Sequence, residues 1–182
     1  MIYVFTGDGK GKSTAAIGMG IRAAGADKKV FLIQFLKTES SENKVIERIK
    51  NFKVKSFGRK GFFLPKPKIE QNPELKKQGI KPFSRIDFQL VKKGFSLAEE
   101  VSESKRYDLL ILDEVNVALK FGLIDIKKFL GFLKKYQKEL DIVLTGRNCP
   151  GEIIKIADLV TDLREVKHYF KKGVRAKKGI EF

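Results

Sequence analysis

A glycine-rich loop near the start of the chain carries residue types that bind phosphate. Residues 6–14 read T-G-D-G-K-G-K-S-T, after a short apolar run and before an Ala- and Gly-rich stretch with helical character. Strand, glycine loop, Lys-Ser and helix is the arrangement of a phosphate-binding P-loop. Backbone N–H groups of such a loop turn toward an anion, and the helix N-terminus adds partial positive charge. Lys12 can then reach the outer phosphates, and the Ser13 hydroxyl can hold Mg²⁺.

One position departs from the usual G-x-x-x-x-G-K-[ST] pattern, because Thr6 occupies the first glycine position. The alternative interpretation is a glycine turn that arises by chance in a lysine-rich protein. The flanking strand and helix favour the P-loop. The residues predicted to bind the nucleotide are Gly7, Asp8, Gly9, Lys10, Gly11, Lys12, Ser13 and Thr14.

A second acidic motif indicates where a metal ion would sit. Residues 109–114 read L-L-I-L-D-E, an apolar strand that ends in two carboxylates, as in a Walker B motif. The alternative role for such an acid is the N-cap of the next helix. Downstream of a P-loop in an α/β pattern, a metal role is favoured. The predicted Mg²⁺ ligands are Ser13, Asp113 and Glu114, and Mn²⁺ would suit the same oxygen atoms.

Apolar runs alternate with helical patterns along the chain, which predicts an α/β fold of three layers around a mostly parallel sheet. Continuous apolar runs are typical of strands that are buried on both faces. These runs are residues 2–5, 30–35, 109–112, 142–144 and 159–163. Residues 52–57 alternate polar and apolar side chains, which predicts a half-exposed edge strand. The carboxyl ends of parallel strands form the ligand-binding edge of such a sheet.

The helices have recognisable start signals, whereas residues 58–82 lack periodicity. Ser84 and Asp87 form a predicted capping pair for the longest helix, and Asp125 is the predicted N-cap of another. Residues 58–82 hold four of the five prolines, and we expect a long loop or lid near the active site. We expect one domain over residues 1–182.

Composition limits the class of protein. A hydrophobic content of 42% suits a globular chain, and no apolar run approaches the roughly 20 residues that span a bilayer. No signal peptide is visible, and the single cysteine excludes an internal disulfide, so a cytoplasmic location is expected. The net charge of +16 would attract polyanions. The lysines are spread along the chain as on solvated helix faces, so nucleic acid is not the expected partner.

Three single residues allow two interpretations each. Arg147 follows an apolar run in T-G-R-N, where it could touch phosphate or belong to a surface turn. His168 is the only histidine, and a surface position is its default interpretation. Cys149 has no base beside it in the sequence, so we interpret it as structural.

The ordered motifs give the chain a family resemblance. It resembles the P-loop type of ATP:cob(I)alamin adenosyltransferases, also called corrinoid adenosyltransferases. The resemblance spans nearly the whole chain. The matching blocks are T-G-D-G-K-G-K-S-T-A-A (6–16), I-Q-F-L-K (33–37), G-F (61–62), Y-D-L-L-I-L-D-E-V-N-V-A (107–118), L-T-G-R-N (144–148), A-D-L-V-T-D (157–162), K-H (167–168) and G-I-E-F (179–182).

The resemblance implies a RecA-like fold, a homodimer and an unusual reaction. Co(I) of a reduced corrinoid attacks C5′ of the ATP ribose and intact triphosphate leaves, with the nucleotide reversed in the P-loop relative to ordinary NTPases. Lys12 and Glu114 are the expected catalytic residues, because cations and a metal ion at the polyanionic leaving group lower the barrier. Arg147 joins the ATP-binding set. A reduced flavin or a flavodoxin-like protein is the expected electron donor.

The resemblance also suggests a corrinoid-contacting set of Phe62, Leu64 and Asn116. Phe62 is the candidate apolar wall for the lower face of the corrinoid, where the family removes the axial ligand to favour reduction. The family often has an aromatic residue, commonly Trp, at the position of Leu64. Some members have an N-terminal extension that covers the active site. This chain enters its first strand at once, so we expect any such cover to be missing or to come from elsewhere.

Two other functions remain open from the sequence. A RecA-like ATPase stimulated by nucleic acid would use the positive charge and would stack bases on Phe62 and Phe63. A non-catalytic, nucleotide-gated corrinoid carrier would bind both ligands without forming a cobalt–carbon bond.

Overall fold

The computed structural model describes residues 1–38, 40–169, 173–174, 177 and 179–180. Glu181 and Phe182, which end the G-I-E-F block, lie outside the described residues. The strands are β1 (Ile2–Thr6), β2 (Val30–Phe35), β3 (Phe52–Phe57), β4 (Phe63–Leu64), β5 (Lys81–Pro82), β6 (Leu109–Asp113), β7 (Asp141–Thr145) and β8 (Leu159–Asp162). The helices are α1 (Lys12–Gly25), α2 (Asn43–Ile46), α3 (Lys66–Gln71), α4 (Pro73–Lys77), α5 (Arg85–Glu103), α6 (Val115–Lys120), α7 (Ile126–Tyr136) and α8 (Gly151–Ile156).

Six strands form one sheet in the order β3-β2-β6-β7-β1-β8. Every strand pair in it is parallel. The predicted fold class is confirmed: the chain has a three-layer α/β architecture consistent with a RecA-like P-loop fold. Because β7 lies between β1 and β6, the segments that follow these three strands meet at one edge of the sheet.

Both faces of the central strands are covered, which explains their continuous apolar sequences. On β6, Leu110 and Leu112 join the apolar cluster that includes residues of α5 and α7. The alternate residues Leu109 and Ile111 join the cluster that includes residues of α1. All four are buried, and full burial of such a side chain stabilises the fold by roughly 1.5–3 kcal/mol. This packing fixes β6, and therefore the acidic residues at its end.

The prediction is correct for β3, one edge strand of the sheet, and wrong for β8, the other edge strand. The half-exposed edge position of β3 is confirmed by the sheet order and its burial pattern. The prediction that residues 159–163 form a strand buried on both faces is wrong. β8 ends at Asp162, β1 is its one neighbour among the described strands, and all four residues of β8 are exposed. The run is apolar, but Leu159 and Val160 remain 43% and 40% exposed because β8 lies at the edge of the sheet.

The expectation of a long irregular loop at residues 58–82 is also wrong. The segment contains α3 and α4, and β4 pairs with β5 as a separate two-stranded ribbon. Its prolines start helices, because Pro67 and Pro73 lie in the first turns of α3 and α4, where proline is tolerated. The Asn72 side chain accepts a hydrogen bond from the Glu74 N–H at 3.3 Å as the cap of α4. Both helices are too short for a hydrophobic period to be visible in the sequence.

The start of α5 anchors this segment. The predicted capping pair is confirmed: Asp87 Oδ2 accepts hydrogen bonds from the Ser84 backbone N–H at 2.7 Å and from the Ser84 hydroxyl at 3.1 Å. Arg59 donates to the same carboxylate from Nε at 2.7 Å and from Nη2 at 2.5 Å. Its guanidinium also lies 3.9 Å from the centre of the Phe63 ring. The buried Asp87 carboxylate therefore caps α5 and also binds Arg59, and Arg59 in turn contacts Phe63 of β4.

We expect Asp87→Ala to lower the melting temperature and to loosen residues 58–82. Loss of a helix cap costs about 1 kcal/mol, which corresponds to about 3 °C for a chain of this size. Thermal unfolding and limited proteolysis would measure both effects. Glu100→Ala, which removes an exposed carboxylate from the same helix, is the matched control. Equal melting temperatures for the two variants would contradict the anchoring role.

The same carboxylate predicts a pH dependence. Burial alone would raise the pKa of Asp87, but hydrogen bonds from Arg59 and Ser84 outweigh it and hold the pKa below its ordinary value of 3.8. Asp87 therefore contributes stability that is fully present above pH 3.8 and is lost as the pH falls through the lower folded pKa. As the pH falls from 3.8 through the folded pKa of Asp87, the free energy of unfolding should therefore decrease less for Asp87→Ala than for the wild type.

None of the helices in the described part of the chain is both long enough and apolar enough to cross a membrane.

Candidate nucleotide and metal site

The glycine loop connects β1 to α1 and is shaped by a neighbouring segment. Gly7 and Gly11 have φ values of +97° and +104°, which favour glycine, and Gly11 is the N-cap of α1. The Gly9 N–H donates to the Leu163 carbonyl oxygen at 2.7 Å. A Cβ atom at Gly9 would lie 2.7 Å from the Arg164 carbonyl oxygen. The close approach of residues 162–164 therefore requires a glycine here, in addition to any anion-binding role.

Lys12 is the first residue of α1 and is buried beside the loop. Its Nζ donates to the Gly9 carbonyl oxygen, and it forms no ion pair with a carboxylate of the described residues. Burial, followed by the nearby positive charge of Arg147, lowers the pKa of Lys12. The carboxylates of Glu114 and Asp8 act on this ammonium group only from beyond ion-pair distance, and a phosphate group would supply a closer anion.

Arg147 also faces the glycine loop. Its Nη2 donates to the Asp8 carbonyl oxygen at 3.2 Å, so the turn after β7 places a second cation beside Lys12. The structure therefore places Arg147 at the glycine loop, and its contact with phosphate stays a prediction.

The other predicted nucleotide-binding residues lie around the loop. Asp8, Lys10 and Thr14 are exposed, and Thr14 is in the first turn of α1. The Lys10 Nζ donates to the Tyr169 hydroxyl at 3.2 Å. This contact brings the segment beyond β8 to the loop.

The two predicted acidic ligands lie at the end of β6, close to Ser13. Asp113 is buried, and its Oδ1 accepts hydrogen bonds from the Ser13 hydroxyl at 2.7 Å and from the Thr145 hydroxyl at 2.6 Å. The Thr145 Oγ1 in turn accepts from the Glu114 N–H at 3.0 Å. Thr145 ends β7, the strand between β1 and β6. It thus fixes the spacing between the loop and the carboxylates.

Glu114 has an unusual backbone and environment. It has a φ of +60°, a conformation that L residues rarely adopt. It occupies the N-cap position of α6, yet its side chain makes no capping hydrogen bond. Burial raises the pKa of Glu114, and the positive charge of Lys37 opposes that increase. The capping alternative is therefore unsupported for this side chain, which faces the site instead.

Lys37 ends the I-Q-F-L-K block of the resemblance, but the sequence analysis assigned it no role at the site. Its Nζ donates to the Ser13 hydroxyl at 2.9 Å and to Asp113 Oδ2 at 2.8 Å. The same Nζ lies 3.5 Å from Glu114 Oε1. Leu36 turns the chain with a φ of +58°. The available signal was the position of Lys37 just beyond β2, at the carboxyl edge of the sheet.

The chemistry of the three predicted ligands would suit a magnesium ion. Ser13, Asp113 and Glu114 supply oxygen atoms only, which Mg²⁺ prefers. Within the described residues, no group of three or more His, Cys, Asp or Glu side chains could hold a metal ion. The remaining ligands would therefore be waters and phosphate oxygens, which is usual for Mg²⁺.

Thr6 and Asn116 form the base of the site. The Gly146 carbonyl oxygen accepts hydrogen bonds from the Thr6 hydroxyl at 3.0 Å and from Asn116 Nδ2 at 3.2 Å. The hydroxyl at the unusual Thr6 position thus joins β1 to the turn after β7. Asn116 is fully buried, and in the described part of the chain its Oδ1 has no partner.

The predicted corrinoid-contacting residues lie on different elements of the fold, and their contact with a corrinoid stays a prediction. Phe62 is 78% exposed just before β4, Leu64 is half-buried in β4, and Asn116 lies behind Gly146 on α6. Outside these sets, the Cys149 thiol is half-buried, and burial raises its pKa to about 12. That thiol stays protonated, as expected for a structural cysteine.

Comparison with known proteins identifies the family of this chain. A family model described as ATP:corrinoid adenosyltransferase BtuR/CobO/CobP matches residues 1–182. A corrinoid adenosyltransferase of Sinorhizobium sp. is 33% identical over all of this chain and 80% of its own length. Corrinoid adenosyltransferases of Pseudomonas aeruginosa and Escherichia coli K12 are each 31% identical over all of this chain and cover 83% and 85% of their own lengths. The chain belongs to the ATP:corrinoid adenosyltransferase family.

Proposed function

We propose that this protein is an enzyme that transfers the 5′-deoxyadenosyl group of ATP to the Co(I) centre of a reduced corrinoid. The cobalt electron pair forms the Co–C5′ bond, the C5′–O bond breaks, and triphosphate leaves with the electron pair of that bond. The observation that carries the proposal is the buried Lys12 ammonium, which faces the glycine loop without a carboxylate partner among the described residues. It supplies positive charge where a triphosphate would collect negative charge.

The residues of the site match the needs of this reaction. Co(I) carries no proton, so its attack needs no general base. The protein must instead stabilise the leaving group and align cobalt, C5′ and the leaving oxygen at about 3–3.5 Å. Lys12 and Arg147 face the phosphates in this proposal, and the loop N–H groups orient them.

The proposed reaction uses a divalent metal ion. Ser13, Asp113 and Glu114 would hold Mg²⁺, or Mn²⁺ in its place. The ion would neutralise phosphate charge as triphosphate leaves. We also propose that a reduced flavin or a flavodoxin-like protein supplies the electron that converts Co(II) to Co(I), and that the enzyme acts as a homodimer.

One anaerobic experiment separates this function from its alternatives. Protein, Mg-ATP and chemically reduced cobalamin are mixed, the visible spectrum is recorded, and the phosphate products are separated by chromatography. We expect the adenosylcobalamin spectrum together with one triphosphate per cobalt–carbon bond. ADP and phosphate released in response to DNA or RNA would favour the ATPase, for which the net charge of +16 is the supporting observation. Binding of both ligands without a cobalt–carbon bond would favour the carrier.

Phe62→Ala tests the corrinoid side of the proposal. The exposed ring is proposed to cover the lower face of the corrinoid and to favour reduction of Co(II). We expect turnover that starts from Co(II) to fall about tenfold, which corresponds to about 1.4 kcal/mol of lost apolar contact. Turnover that starts from Co(I) should change much less. Phe88→Ala, at another exposed aromatic residue, is the control, and equal losses from both cobalt states would remove Phe62 from this role.

A further inference from the structure

The Lys37 ammonium lies among the oxygen atoms that are proposed to hold the metal ion. It is within hydrogen-bond distance of the Ser13 hydroxyl and of Asp113 Oδ2, at 2.9 and 2.8 Å. It is also 3.5 Å from Glu114 Oε1. One cation from the protein therefore contacts all three groups.

This arrangement leaves little room for a second cation. Asp113 Oδ1 already accepts hydrogen bonds from two hydroxyl groups, and Oδ2 accepts one from Lys37. A divalent ion would have to take oxygen lone pairs that Lys37 now uses. A metal ion at these oxygen atoms would lie next to the Lys37 ammonium, and the two positive charges would repel each other strongly in this half-buried site.

The Lys37 side chain is more accessible to solvent than the carboxylate of Asp113 that it contacts. The side chain is 31% exposed, whereas that of Asp113 is 1% exposed. A lysine ammonium on a flexible four-carbon stem can change partners without movement of the backbone.

We propose that Lys37 is a tethered counter-cation that blocks the metal site until nucleotide arrives. Metal ion alone then competes with Lys37 and binds weakly. The phosphates of the nucleotide give the ammonium a new partner, and this exchange frees Ser13, Asp113 and Glu114 for the metal ion. The inference rests on the proposed metal-binding role of these three residues, and it makes nucleotide and metal ion enter the site together.

Mn²⁺ binding to the nucleotide-free protein tests this competition directly. Free Mn²⁺ is measured by electron paramagnetic resonance for the wild type, Lys37→Met and Lys93→Met. Lys93 is an exposed lysine of α5, so its variant controls for the loss of one positive charge. We expect Lys37→Met to bind Mn²⁺ at least about tenfold more tightly than the wild type, and Lys93→Met to match the wild type. Unchanged or weaker binding by Lys37→Met would overturn the proposal.

A measurement on the wild type keeps the test valid even where Lys37→Met folds poorly. The Lys37 ammonium signal is followed by nuclear magnetic resonance of ¹⁵N-labelled protein, and it is assigned by its absence from Lys37→Arg. We expect millimolar Mg²⁺ alone to leave the signal in place and Mg-ATP to shift it. If Mg²⁺ alone shifted the signal as much as Mg-ATP does, the proposed blocking of the metal site by Lys37 would be contradicted.

These readouts are separate from adenosyl transfer. A protein that forms the cobalt–carbon bond but shows no gain in Mn²⁺ affinity in Lys37→Met would refute the counter-cation alone. A protein that shows the gain but forms no such bond would refute the proposed reaction and keep the metal competition.

Discussion

Lys12→Ala is expected to lower turnover by about 10²–10³-fold, the usual cost of removing one donor that stabilises developing negative charge. The variant should keep its fold. Burial lowers the pKa of Lys12, and in the described structure the one hydrogen-bond acceptor of its ammonium is the Gly9 carbonyl oxygen. Such a charge adds little to the stability of the free protein. We therefore expect the free energy of unfolding to stay within about 1 kcal/mol of the wild type, or to increase.

The measurement pairs turnover with thermal unfolding in the absence of ligands. Lys92→Ala, an exposed position on α5, is the matched control and should leave both values unchanged. Added ATP should raise the melting temperature of the wild type much more than that of Lys12→Ala, because the variant binds the phosphates less well. Near-normal turnover by Lys12→Ala would remove this residue from the reaction.

Local chemistry made much of the fold predictable. The strand limits of β2 and β3 follow directly from their apolar and alternating sequences. The starts of α5 and α7 follow from capping residues, and the Asp125 side chain indeed accepts a hydrogen bond from the Lys128 N–H at 2.8 Å. These features depend on neighbours within a few residues, so the sequence alone contains the information.

The errors and omissions concern contacts between distant segments. β8 is as apolar as a buried strand, but burial depends on the number of neighbouring strands and helices, and β8 is at the sheet edge. Lys37 and Thr145 are ordinary residue types, and they join Asp113 only because β2, β6 and β7 are adjacent strands. Gly9 was interpreted through anion binding alone, although its contact with Leu163 is 154 residues away along the chain.

Asp113→Asn is expected to reduce both metal-dependent turnover and stability. The change keeps the size of the side chain but removes a negative charge that is buried beside Lys37. An amide nitrogen in place of Oδ2 would point one donor at another. Among the described residues, the Lys37 ammonium would then keep the carboxylate of Glu114 as its ionic partner. Breaking a fully buried pair costs about 3–5 kcal/mol. Because Lys37 is 31% exposed, we expect a smaller loss of about 1–3 kcal/mol.

The functional loss should exceed the loss explained by unfolding. In the proposed reaction, the weaker site for the metal ion leaves the triphosphate charge less well neutralised, and we expect turnover at moderate Mg²⁺ to fall about 10²-fold. High Mg²⁺ should recover part of that loss, since the remaining Ser13 and Glu114 still supply oxygen atoms. Asp125→Asn is the control, because asparagine caps α7 about as well as aspartate does. A Mg²⁺ titration of Asp113→Asn that superimposes on the wild-type curve would show that this carboxylate does not hold the metal ion.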